Sequence, residues 1–111
     1  MIGVLALAPA ADLALALELN LGDGAAAAFI GAEHIHAARY DPRRLPTPSM
    51  KACIVHGESD EIVPIALSES YVASHPATKL VRLPITGHFA LIDPESGAWS
   101  AVSHELQSLA E

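Results

Sequence analysis

Asp60 and His88 are the two residues whose types and spacing best suggest chemistry. They stand 28 positions apart in a chain of 111 residues. Asp60 closes the stretch His56-Gly57-Glu58-Ser59-Asp60, and His88 follows Gly87. A carboxylate bonded to an imidazole fixes the ring's tautomer and stabilises the imidazolium, the supporting role for an attacking hydroxyl or thiol. A separation of 28 residues fits one strand–helix–strand unit, so neighbouring strand ends can bring the pair together. On spacing alone two plainer readings stand beside this one: an aspartate that forms a loop turn and a histidine that is structural or solvated.

Other reactive side chains offer less. Cys53 is the single cysteine and falls within an apolar run, where a thiol reads as a small core residue. His34 and His36 are two apart, so a helix turns them to different faces, and no metal site is expected. His75 and His104 read as surface residues. Tyr40 is placed to anchor the Asp41–Pro48 connection to the sheet, and Glu58, Asp60 and Glu61 form an acidic loop. No cofactor is implied.

The elements that must position the pair follow from apolar patterning. Ile2–Ala8 is a continuous apolar run stopped by Pro9, as in a strand covered on both faces. Asp12 caps a helix through Leu13, Leu17 and Asn20; Gly22-Asp23-Gly24 ends it; Ala25–Ala38 reads as a second helical piece, interrupted near Gly31. Pro42, Pro46 and Pro48 predict an extended connection over 40–48. Met50–Val55 is a second strand, Pro64 opens a helix to about Ser74, and Lys79–Leu83 is a third strand. Asp93-Pro94 predicts the start of a last helix whose buried stripe is Trp99, Val102, Leu106 and Leu109. Alternating strands and helices predict an α/β fold, a parallel sheet of about three strands with flanking helices and right-handed crossovers.

Composition narrows the partners. Hydrophobic residues make up 51% and aromatics 5%, with 21 alanines, so the core is aliphatic and one domain over 1–111 is expected. Six basic residues against 13 acidic ones, net charge -7, exclude a basic footprint for nucleic acid or an anionic membrane. The run 2–11 is shorter than the roughly 20 residues of a bilayer span. Ala6-Leu7-Ala8 has the look of a cleavage box, yet no Lys or Arg precedes Arg39, which argues against a secretory leader. A lone cysteine and no leader predict a soluble, cytoplasmic protein.

The stretch His56-Gly57-Glu58-Ser59-Asp60-Glu61-Ile62-Val63-Pro64 resembles the acid-bearing loop of the α/β-hydrolases, and Leu83-Pro84-Ile85-Thr86-Gly87-His88-Phe89 resembles that family's histidine loop. Val4–Leu13, Asp93-Pro94 and Trp99 are similar to its prolyl-oligopeptidase and esterase branch. The resemblance implies Asp60 as triad acid, His88 as general base, a helical cap-like insert over 12–40, and an ester, amide or peptide substrate. The family's order is nucleophile, acid, histidine. None of the nine serines stands in a G-x-S-x-G elbow. The chain is therefore expected to be the C-terminal portion of a hydrolase, shortened by truncation, gene fission or a mis-set start. Removing a triad member from a complete enzyme leaves on the order of 10³ to 10⁴ acceleration, from the oxyanion hole and binding. Here those parts are unaccounted for too, so no turnover is expected from this chain alone. The alternative expectation is a non-catalytic module that dimerises or binds another chain through sheet edges and apolar faces.

Overall fold

Three β-rich apolar segments form three parallel strands, β1 (Gly3–Leu7), β2 (Lys51–Gly57) and β3 (Lys79–Leu83), in the order β1-β2-β3. A computed structural model describes residues 2–31 and 39–111. The helices are α1 (Leu13–Glu18), α2 (Ala25–Ile30), α3 (Ala66–Ser74) and α4 (Trp99–Ala110), with 3-10 turns at Pro42–Arg44 and Phe89–Ile92. This is the expected α/β fold.

Register explains the layering. Leu5 pairs with Cys53, and Leu7, Val55 and Val81 line one row. These side chains share a face and pack with Val102, Trp99 and Leu109 of α4. The alternate face carries His56, which meets Ser68 of α3. With helices on both sides, Cys53 to Gly57 of β2 are buried, and Val55 is wholly so. Complete burial of one such aliphatic side chain contributes about 1.5–3 kcal/mol.

Polar residues fix the chain after β1. Asp12 caps α1 through the Leu15 N–H, and its other oxygen accepts from the Ser70 hydroxyl at 2.6 Å. Asp41, 2% exposed, accepts from the Leu13 N–H at 2.9 Å and from the Arg43 N–H. The connection is thereby drawn over the start of α1.

Several expectations need correction. Pro42 opens a 3-10 turn within the segment expected to be extended, because Asp41 caps it. Tyr40 is 53% exposed and packs edge-on against Phe29 rather than on the sheet. His75 is buried: it stacks on Tyr71 at 4.1 Å, and its Nε2 lies 2.7 Å from the Leu45 carbonyl, pinning the connection to the end of α3. The last helix starts at Trp99, not at Asp93-Pro94. Asp93 instead caps a local turn through the Glu95 N–H, which the Ser96 hydroxyl ties to the Ala90 carbonyl. On α4, Leu106 is 58% exposed and Glu105 takes the buried position, since Lys79 neutralises it. The interruption expected near Gly31 coincides with the end of α2; residues 32–38, including His34 and His36, lie outside the described residues.

Candidate functional site

Strands β2 and β3 end on the same rung, Gly57 beside Leu83. The two loops that leave this rung carry Asp60 and His88, at the carboxyl edge where open parallel sheets bind ligands. Gly57 sets how closely the loops approach. A Cβ there would stand 2.1 Å from the Thr86 carbonyl oxygen, so only glycine lets the histidine loop lie against the end of β2. Two backbone bonds then join the loops: the Glu58 N–H donates to the Leu83 carbonyl and the Ser59 N–H to the Thr86 carbonyl. Ile85 turns the histidine loop with φ at 53°, in the left-handed region that a β-branched residue rarely adopts, and its side chain projects into solvent.

Asp60 and His88 meet. His88 Nδ1 lies 2.8 Å from Asp60 Oδ2. The Asp60 side chain is fully buried and that of His88 is 26% exposed. The second carboxylate oxygen, Oδ1, accepts the N–H groups of Ile62 at 2.9 Å and Val63 at 2.8 Å. Burial alone would push this carboxyl up. The Val63 N–H, the hydrogen bond from His88 and the Ile62 N–H outweigh it and hold Asp60 below its ordinary value. An ionised Asp60 accepts a proton-bearing Nδ1, so the lone pair of the neutral ring sits on Nε2, which has no hydrogen-bond partner among the described residues. Such a pair can take up a proton at Nε2 and return it. Glu58 and Glu61 beside it are exposed.

His56, expected in the loop, is the penultimate residue of β2 and is completely buried. Its Nδ1 lies 2.7 Å from Ser68 Oγ and its Nε2 2.7 Å from the Val63 carbonyl oxygen. The motif offered His56 as a signal; nothing in the local pattern singles out Ser68, which lies on α3.

At the opposite end of the sheet Cys53 lies 3.6 Å from Glu105 Oε2, and Lys79 Nζ reaches both Glu105 oxygens at 2.9 and 3.0 Å. Burial first, and then Glu105, push the thiol up to about 11, so Cys53 stays protonated and unreactive. No cluster of three or more metal-ligating side chains occurs among the described residues, and none of their helices is long and apolar enough to cross a membrane.

No family model and no curated protein matches the chain. Among solved structures, a crystal structure of an α/β-hydrolase enzyme from the metagenome of sediments of the Mar Chica lagoon, Morocco, is similar over 63% of this chain, with a TM-score of 0.50 and 24% identity. The chain spans 32% of that protein. The likeness establishes the fold: a parallel three-stranded sheet with flanking helices, arranged as in part of an α/β-hydrolase.

Proposed function

We propose that this chain supplies the acid and the general base of a serine hydrolase of the esterase or prolyl-oligopeptidase type. The observation that carries the reading is the 2.8 Å contact between a buried carboxylate and a part-exposed imidazole at the carboxyl edge of the sheet. His88 Nε2 takes the proton of a serine hydroxyl as that oxygen attacks an ester, amide or peptide carbonyl. Asp60 stabilises the imidazolium, which then passes the proton to the leaving oxygen or nitrogen. Water repeats the cycle to release the acid. The nucleophile and the oxyanion donors come from polypeptide outside the 111 residues, in cis or as a partner chain, and the segment 12–40 acts as a small cap over the acyl or leaving group. A reducing, cytoplasmic setting belongs to the same reading.

A fluorophosphonate probe tests it. The isolated chain is expected to stay unlabelled. In a preparation of the complete polypeptide or complex isolated from the source cells through this chain, the label falls on a serine outside residues 1–111, and Asp60→Asn lowers turnover of a p-nitrophenyl ester by about 10⁴-fold. Labelling of the isolated chain, or labelling and turnover indifferent to Asp60→Asn and His88→Ala, defeats the reading.

A second reading, an oligomerising module, draws on exposed apolar side chains around the loops, namely Ile62, Ile85, Phe89 and Ile92, which are 48%, 95%, 65% and 66% exposed. Gel filtration separates the two: a concentration-independent monomer of the isolated chain counts against the module.

A further inference from the structure

A buried imidazole is costly unless both its nitrogens are satisfied. His56 sits on β2 directly after the apolar Cys53-Ile54-Val55, with its side chain at 0% exposure. Both nitrogens are satisfied by 2.7 Å contacts, and the partners fix the direction of each bond. The Val63 carbonyl can only accept, so Nε2 carries the proton. Nδ1 of the neutral ring then accepts, and Ser68 donates. Val63 is the residue whose N–H donates to Asp60 Oδ1 at 2.8 Å. The peptide unit following Val63 is therefore gripped by His56, and the unit preceding it grips the carboxylate. Asp60 Oδ2, the oxygen that holds His88, also lies 3.5 Å from His56 Nε2.

We propose that His56, fixed in one tautomer by the Val63 carbonyl and held in place by the Ser68 hydroxyl, is a positioning residue that holds the Val63 backbone and through it aims the Asp60 carboxylate at His88. The Ser68 hydroxyl donates to His56 Nδ1, His56 Nε2 donates to the Val63 carbonyl, and the Val63 N–H and His88 Nδ1 both donate to Asp60. Helix α3 thus sets the geometry of a pair to which it makes no hydrogen bond. The coupling is one of geometry: a freed Val63 backbone lets the carboxylate turn off the line to His88, so loosening the first link misaligns the last. The role rests on the reading of Asp60 and His88 as the acid–base couple, but its test does not require turnover.

The test is NMR of the full 111-residue chain carrying ¹³C-labelled aspartate, with Asp60 Cγ followed against pH and the low-field proton on His88 Nδ1 followed at neutral pH. In His56→Leu the Val63 N–H no longer holds the carboxylate, and the Asp60 midpoint rises by about one pH unit. The His88 proton moves upfield and broadens. Ser68→Ala produces the same changes at smaller size, since the ring keeps Val63 but loses the hydroxyl that holds it in place. His56→Gln, whose amide N–H can still reach the Val63 carbonyl, restores most of the native behaviour. A purely structural His56 lowers the unfolding midpoint while leaving the Asp60 midpoint and the His88 proton where they are in the folded protein, and that result overturns the proposal. If His56→Leu does not fold, an unmoved Asp60 and His88 in Ser68→Ala overturn it equally. Failure of the hydrolase reading appears separately, as absent fluorophosphonate labelling in the complete preparation, with these NMR shifts intact.

Discussion

The two ends of the sheet each pair a buried carboxylate with a basic side chain, and they come out differently. At the carboxyl edge Asp60 is enclosed, its oxygens taken by two backbone N–H groups and His88, and the imidazole stays part-exposed. At the amino edge Glu105 is 6% exposed and meets Lys79, whose side chain is 60% exposed. The hydrogen bond between them, working against burial, holds Glu105 down and Lys79 up. Lysine stays charged throughout the physiological range, so that end is a fixed ion pair. An imidazole has a second ring nitrogen that can take up a proton and give it back, so the other end can pass a proton. A carboxylate beside a base is thus not by itself a reactive site; the identity of the base and the number of donors on the acid decide.

Gly57→Ala is expected to disturb the carboxyl edge most and to leave the amino edge in place. The added Cβ meets the Thr86 backbone, and the variant is expected to lose about 3 kcal/mol in urea unfolding. The low-field His88 Nδ1 proton is expected to vanish from its NMR spectrum as the two loops separate. A cost below about 0.5 kcal/mol, within the range of ordinary surface substitutions, defeats this account of the loop approach.

Acid titration distinguishes the two carboxylates. Asp60 and Glu105 are both held below their ordinary values, so each contributes stability that is fully present above about pH 5 and is lost as pH falls through its folded value. Screening separates them. At about 1 M salt the screening length is about 3 Å. The Glu105 share, resting on a solvent-facing lysine, fades, while the Asp60 share, resting on buried backbone donors, persists. Equal salt sensitivity of the acid limb in Asp60→Asn and Glu105→Gln contradicts this.

The smallest effect is expected at the amino edge. Glu105→Gln removes the charge that opposes the Cys53 thiolate, leaving burial as the main restraint, so the rate of iodoacetamide alkylation rises only a few-fold above that of the native protein. The Asp60–His88 resonances are expected to stay in place, and their displacement shows that the two ends are coupled.

The sequence was most legible where one residue's own properties settle its place. The β2 and β3 runs needed no tertiary information, and Asp12 caps α1 as expected, because a carboxylate before a helix has backbone donors within reach. Reading failed where a distant partner decides. Asp93-Pro94 has the form of a helix start, but the Ser96 bond to Ala90 draws the segment into a turn and α4 begins two residues after Gly97. Leu106 is predicted on the buried stripe of α4, but Glu105, neutralised by Lys79, is buried instead, and His75 reads as a surface residue until Leu45 and Tyr71 enclose it.

What the amino-acid order determined by itself was therefore the alternation of strands and helices and the two loops that bear Asp60 and His88, since hydrophobic period and turn chemistry act between near neighbours. Only the tertiary structure decided that the loops touch, through the side-chain-free surface of Gly57 and the matched end rung of β2 and β3. It alone brought Ser68, His56 and Val63 into one line behind Asp60, because hydrogen bonds select partners by distance and angle in space, which sequence separation does not encode.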